Sequence, residues 1–389
     1  MRRKIALIIS LLFLGCLALG LGGCAVQLAE QAEQPPAEPS LGGEQGAVSG
    51  QEDAAESDGA ELALILSGPE LAPASAEQDA WQALEKLAGE NTLEAGYYAP
   101  ADATAEAYAA AISQAAAGGA QLIVCIGDAM EAPVYDAQYQ YPEIKFLLID
   151  GEPHSGDFST YALAENTCAI SFAEEQAGFL AGYAAVKNGY TLLGFLGGMP
   201  VPPVIRYGYG FIYGARYAAN EDNKSGVQIL YHYSGSFNTT ESAQTLAGDW
   251  YNNGAQIIFS CDSGDSAILA AEAADGQVIA ADLDHSPVSE TVAASALKIP
   301  AAAVNLAVKD YLAGRFPGGS QLRLGAAENG VGLSMDQLRF ADFGAEFTAQ
   351  TYHAIFNKLA LGEVKPPLDT DYASAAEMSN PRVTVTFVE

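Results

Sequence analysis

The sequence predicts an α/β protein of two lobes, each a doubly wound parallel sheet, joined by a hinge with a cleft between them. Short apolar runs that read as buried strands alternate with helical segments, the pattern of parallel sheets with right-handed crossovers. The segment Gly119-Ala-Gln-Leu-Ile-Val-Cys125 is echoed 135 residues later by Gly254-Ala-Gln-Ile-Ile-Phe-Ser-Cys261. After each copy the next strand-like run ends in an acid, Asp150 or Asp282, at 31 and 28 residues beyond the glycine. Such a repeat implies two lobes of the same βα construction. Open parallel sheets bind ligands outside the carboxyl ends of their strands, so two facing sheets make a cleft for a small molecule.

The chain opens with Arg2-Arg3-Lys4, an apolar run from Ile5 to Leu21, and Leu21-Gly22-Gly23-Cys24. A basic start, an apolar middle and small residues before a cut make a secretory signal. Residues 1–23 are expected to be that signal, and the end of the run resembles a bacterial lipobox with Cys24 as the acylated first mature residue. An ordinary signal peptide or an uncleaved anchor is the alternative. Residues 24–60 follow as an acidic tether. From Ala25 to Ala60 there are eight acids and no lysine or arginine, among Gln, Ala, Pro, Gly and Ser. A segment of that composition cannot bury enough apolar surface to fold.

Folded sequence begins at Leu62-Ala-Leu-Ile-Leu66. Strand-like runs recur at 93–97, 122–126, 146–149 and 168–172, and a second series at 192–196, 227–231, 257–259 and 278–281. A helix is expected around Asp79–Ala88, with Trp81 as core packing, and another over the Ala-rich stretch from 101 to Gly118-Gly119. The first lobe is expected to take 61–172 plus 290–325, and the second 190–285 plus 330–389. The hinge crossings then fall near 172–190, 284–296 and 325–335. The alternating Val383-Thr-Val-Thr-Phe-Val388 reads as a closing edge strand.

The 389 residues carry a net charge of −31. Loss of residues 1–23, with three basic residues and no acid, moves it to −34. A chain this acidic repels phosphate backbones, so nucleic acid is not an expected partner. Cys125, Cys168 and Cys261 have no C-x-x-C spacing and read as buried free thiols. The histidines 154, 232, 285 and 353 stand singly, so neither a metal nor a cofactor is expected. No G-x-S-x-G elbow, P-loop or nucleophile–base pair is present, and an enzyme is not the expected class. Gly208, Gly210 and Gly214, like Gly178 and Gly182, read as small residues that let helices pack closely.

Val278-Ile-Ala-Ala-Asp282 is a buried strand ending in an acid that would point at a ligand. Its carboxylate offers two acceptor oxygens, suited to neighbouring hydroxyls, and the Lys298 ammonium supplies three donors nearby. Asp282 as a helix cap and Lys298 as a surface charge are the plain alternatives.

Ser171-Phe-Ala-Glu-Glu-Gln-Ala-Gly-Phe-Leu-Ala-Gly-Tyr183, Leu193-Gly-Phe-Leu-Gly-Gly-Met199 with Arg206 and Gly210-Phe211, Tyr233-Ser-Gly-Ser-Phe237, and Gly330-Val-Gly-Leu333 carry a resemblance. The region from about Leu62 to Pro367 resembles the basic membrane protein family, PnrA-like nucleoside-binding lipoproteins of ABC importers. That resemblance implies the type I periplasmic-binding-protein fold and a permease partner. It also implies a lipid anchor on the extracytoplasmic face of the cell membrane. Phe237 matches the family aromatic that stacks on a base, Asp282 the acid that holds ribose hydroxyls, and Lys298 the lysine near the ligand. Ser263 stands where the family has the first glycine of a Gly-Gly turn, and Gly264 is kept. In the first lobe the family's acid is Ser67, its second stacking aromatic Ala76 and its asparagine Glu77. Gly127 and Asp128 complete the candidate ligand-binding set. The resemblance makes a nucleoside, of the purine type, the expected ligand. The same fold holding a sugar or another hydroxylated solute, and a surface or sensor protein, are the rivals.

Overall fold

The computed structural model describes residues 59–262, 265–335, 338–340 and 347–388. The expected signal, the expected tether up to residue 58, Cys24, Ser263 and Gly264 lie outside them. In chain order the first elements are β1 (Leu62–Ile65), α1 (Ala76–Asn91), β2 (Ala95–Tyr98), α2 (Ala105–Ala117), β3 (Leu122–Ile126), α3 (Glu131–Gln140), β4 (Lys145–Ile149) and β5 (Thr167–Phe172). Then come α4 (Glu174–Lys187), β6 (Leu192–Gly197), α5 (Pro202–Glu221), β7 (Val227–Tyr233), α6 (Glu241–Asn252), β8 (Ile257–Cys261), α7 (Asp265–Ala274) and β9 (Val278–Asp282). The chain closes with β10 (Val292–Lys298), α8 (Pro300–Leu312), β11 (Ser320–Leu324), β12 (Val331–Leu333), α9 (Ala349–Ala360) and β13 (Val383–Phe387).

The strands form two sheets, ordered β11-β5-β4-β3-β1-β2 and β12-β10-β9-β8-β6-β7-β13. Among the described residues these strands all pair in parallel except β10 with β12. Strands such as β1 and β3 are buried along their whole length, because helices cover both faces. In the first sheet α1 and α8 pack on one face and α2 and α3 on the other. In the second sheet α4, α5 and α9 lie on one face and α6 and α7 on the other. One core runs under one face of both sheets, and each sheet has a separate core beneath its other face.

Local chemistry sets the helix ends. Ser75, Thr104, Thr240 and Thr348 each accept a bond from a first-turn amide of α1, α2, α6 and α9, satisfying a donor that no helical carbonyl can reach. Asp79 Oδ2 of α1 accepts from the Ala301 amide at 2.7 Å and so caps the start of α8. The repeated glycines do the same job in both halves: Gly119 (φ 101°) and Gly254 (φ 96°) turn the chain from a helix into β3 and β8. Only a residue without Cβ takes that conformation freely.

The closest packing is between α4 and α5. A Cβ on Gly178 would lie 2.1 Å from the Tyr207 carbonyl oxygen, on Gly182 2.0 Å from that of Phe211, on Gly210 2.1 Å from that of Glu175, and on Gly214 2.0 Å from that of Phe179. The glycines thus interlock reciprocally, as the sequence spacing anticipates. Cys125, Cys168 and Cys261 are buried free thiols, and burial pushes Cys168 up to about 12. β13 pairs with β7 and closes one edge of the second sheet. Trp81 meets Tyr97 edge to face at 5.1 Å, half-buried against the core.

One boundary differs from the sequence pattern, which puts 290–325 in the first lobe with a crossing at 284–296. β10 instead lies between β9 and β12 in the second sheet. The chain leaves that sheet only after Lys298, where Pro300 opens α8 against α1. The reason is that β9 and β10 are neighbouring parallel strands of one sheet, from Val278 opposite Val292 to Asp282 opposite Leu297. A run of apolar residues does not reveal which strand it will pair with.

Candidate functional site

Lys298 is where the two sheets converge. It ends β10 and follows Leu297, which sits opposite Asp282 in the register. Its Nζ lies 2.8 Å from Asp150 Oδ2, 3.1 Å from Asp282 Oδ1 and 3.7 Å from Glu174 Oε1. Asp150 directly follows β4 in the first sheet, Asp282 ends β9 in the second, and Glu174 opens α4. One ammonium therefore binds an acid from each sheet. The lysine side chain is 10% exposed, whereas that of Asp282 is 55% exposed.

Asp150 and Asp282 both hold left-handed backbone, φ 59° and 68°. Aspartate is one of the few non-glycine residues that visit this region, and the turn re-aims its side chain where the strand stops. Three carboxylates around one cation set the protonation. Burial pushes the Asp150 carboxyl up from 3.8; the Lys298 charge opposes that shift, and Asp282 and Glu174 reinforce it. Burial pulls the Lys298 ammonium down, but Asp282, Asp150 and Glu174 outweigh it and hold its pKa above the ordinary value. Lys298 is thus fully charged near neutral pH.

Tyr207, on α5, donates from its hydroxyl to Asp282 Oδ1 at 3.0 Å, and its ring lies 6.0 Å from the lysine nitrogen. Behind them Glu174, fully buried, accepts from Arg206 Nε at 2.7 Å, and Arg206 Nη1 reaches Asp369 Oδ1 at 3.2 Å. Arg323, on β11, donates to Glu175 Oε1 at 3.0 Å. Charges from both sheets, α4, α5 and the C-terminal segment therefore meet beside the crossings.

At the first sheet's strand ends, the Ser67 carbonyl accepts from the Tyr108 hydroxyl at 3.0 Å. Burial, then the charges of Glu77, Asp102 and Asp128, raise the pKa of that phenol. Ser67 and Asp128 are exposed; Glu77 and Ala76 are half-buried at the start of α1. Gly127 (φ 90°) donates to the Ile149 carbonyl at 2.8 Å, tying the turn after β3 to the end of β4. On the second sheet's side, Phe237 is 39% exposed and lies over Gly198, where a Cβ would fall 2.5 Å from the ring. A cavity of about 400 Å³ opens between the start of α1, with Ser75, Gln78 and Gln82, and Leu283, Asp284 and Lys298.

The structure thus brings Asp282 and Lys298 together and bonds the Ser67 carbonyl to Tyr108; no hydrogen bond joins Glu77 or Asp128 to them among the described residues. Phe237 stands separately over Gly198. Asp150 was legible as a strand-end acid but not as the partner of Lys298. Tyr207 reads in sequence as one apolar position of a helix, with nothing to mark its hydroxyl. Among the described residues no group of three or more His, Cys, Asp or Glu is arranged for a metal ion, and no helix is long and apolar enough to cross a membrane.

The sequence profile of the family described as ABC transporter substrate-binding protein, PnrA-like, matches residues 61–353. The chain belongs to this family. Basic membrane protein A2 of Borrelia garinii subsp. bavariensis is 33% identical over 222 residues, covering 55% of this chain and 63% of that protein. The match therefore spans less than two thirds of that relative. The ABC transporter nucleoside-binding protein BmpA of Lactococcus lactis subsp. cremoris is 26% identical over 285 residues, 67% of this chain and 78% of that one. The fold matches that of an ABC transporter solute-binding protein from Conexibacter woesei, with a TM-score of 0.64 at 21% identity over 80% of this chain and 99% of the other. It is the type I periplasmic-binding-protein fold.

Proposed function

We propose that the chain captures a nucleoside in the cleft between its two sheets and delivers it to the permease of an ABC importer, held at the extracytoplasmic face of the membrane by a lipid on Cys24. The observation that carries the reading is the meeting of Asp150 and Asp282 from opposite sheets on the Lys298 ammonium. A ligand bound there touches both lobes, so its affinity can differ between open and closed arrangements, which is what drives a hinge motion. Phe237 presents a flat apolar face to a base, and Asp282 an exposed acceptor to a sugar hydroxyl. Family membership and the nucleoside-binding name of the Lactococcus relative support the same ligand class. The cleft residues hold and orient a ligand; no nucleophile–base pair is invoked.

A second reading keeps the cleft and changes the solute. Half-buried Ala76 puts no ring at the first lobe's matching position, so a base would be stacked from one side only, forfeiting roughly 1–3 kcal/mol. A sugar would lose nothing there. A thermal-shift panel of nucleosides, free bases, pentoses and hexoses on the folded region separates the readings. A ligand at 100 times its Kd stabilises by about 2.7 kcal/mol, several degrees. A shift with a nucleoside that Phe237→Ala abolishes supports the first reading; a shift with sugars alone supports the second; no shift with any of them contradicts both.

A further inference from the structure

Asp282 has fewer free acceptors than its exposure suggests. Oδ1 takes the Tyr207 hydroxyl at 3.0 Å and the Lys298 ammonium at 3.1 Å. A carboxylate oxygen has two lone pairs in its plane, so these two donors fill it. Neither is free to leave. Tyr207 is 2% exposed, and its helix is locked to α4 by the glycine contacts, Gly178 against the Tyr207 carbonyl itself. Burial, then the Asp282 and Glu174 charges, raise the phenol well above its ordinary pKa, so it stays a donor. Lys298 is fixed in turn by Asp150 Oδ2 and Glu174. The strand end adds to the rigidity: Asp282 has left-handed backbone, and Leu283 N–H donates to the Ala281 carbonyl at 2.9 Å.

We propose that Tyr207 is a positioning residue that sets ligand specificity by occupying one oxygen of Asp282, so that the cleft holds one hydroxyl of a neighbouring pair on Oδ2 rather than both on the two oxygens. This rests on the ligand reading above. A bare carboxylate facing a vicinal diol would bond both hydroxyls alike and penalise the loss of either. With Oδ1 filled, the two hydroxyls become unequal. That asymmetry comes from Tyr207 on α5 and Lys298 on β10, with Asp150 and Glu174 holding the lysine in place.

The test is calorimetric titration of a ribonucleoside and its 2′-deoxy and 3′-deoxy forms into the wild-type protein and Tyr207→Phe, with the melting temperature of each protein measured alongside. In the wild type one deoxy form should lose about tenfold or more in affinity, as expected for a hydrogen bond to a charged group, and the other only about twofold. Tyr207→Phe opens a lone pair on Oδ1, so the second deoxy form should lose several-fold more relative to the ribonucleoside than it does in the wild type, with little change in melting temperature. Equal penalties for the two deoxy forms in the wild type overturn the proposal without recourse to any variant. So does a Tyr207→Phe protein that binds all three in unchanged ratio. Failure of the wild type to bind any of the three overturns the nucleoside reading and this proposal with it.

Discussion

Asp150 and Asp282 end strands that follow equivalent copies of one sequence repeat, turn with the same left-handed backbone, and bind the same ammonium from opposite sheets. The repeat therefore places one acid on each side of the cleft, and Lys298 joins them. Several measurable consequences come from that arrangement and from the helix pair behind it.

Lys298→Met removes the one ammonium that, among the described residues, lies within 4 Å of Asp150 and Asp282, and leaves two negative charges facing each other. Breaking a buried ion pair by deleting one partner costs about 3–5 kcal/mol. The loss here should sit at the lower end, near 3 kcal/mol, because Asp150 and Asp282 are 33% and 55% exposed and Glu174 keeps Arg206. Urea unfolding of the two proteins measures it. A loss under about 1 kcal/mol would mean that water already neutralises the site.

The α4–α5 contact predicts opposite outcomes for two glycine substitutions. Gly178→Ala drives a Cβ to 2.1 Å from a backbone oxygen that cannot yield without moving α5. Overpacking costs typically 1–3 kcal/mol and more where backbone must shift, so a loss above about 3 kcal/mol is expected. Gly89, inside α1, has open space at its Cβ position, and Gly89→Ala should stabilise by about 1 kcal/mol. Equal effects in thermal or urea unfolding would contradict the packing described.

The pH dependence follows from Asp150. Burial, opposed by Lys298 and reinforced by Asp282 and Glu174, raises its folded pKa above 3.8. The folded protein then binds this proton more tightly than the unfolded chain does. The contribution is fully present below about pH 3.8 and is lost as pH rises through the folded value. Wild-type stability relative to the non-titrating Asp150→Asn should therefore fall as pH is raised from about 3 to 6. A wild type that gains on the variant over that window would show a depressed carboxyl instead.

The two-lobe architecture was readable because buried parallel strands and their helices leave different periodicities, and because Gly119 and Gly254 mark the same turn twice. The acids were readable for a local reason: each stands where an apolar run stops. Partnership was not. Which sheet takes β10 depends on strand neighbours far apart in sequence, and that pairing is what carries Lys298 to Asp150. The Tyr207 hydroxyl was hidden because helix periodicity reports a buried face without its polar tip. The first-lobe loop was legible only as a departure from the family's residues, and the structure adds Tyr108 as the group that pins Ser67.

The central claim is that the ligand is held at the carboxyl ends of both sheets, with Asp282 as an acceptor for its hydroxyl. Isothermal titration of a ribonucleoside into the wild type and Asp282→Ala tests it most directly. A hydrogen bond to a charged group is worth about 1.5–3 kcal/mol, so the variant should bind roughly 10- to 150-fold more weakly. Affinity within about twofold of the wild type would place the ligand elsewhere and contradict the assignment.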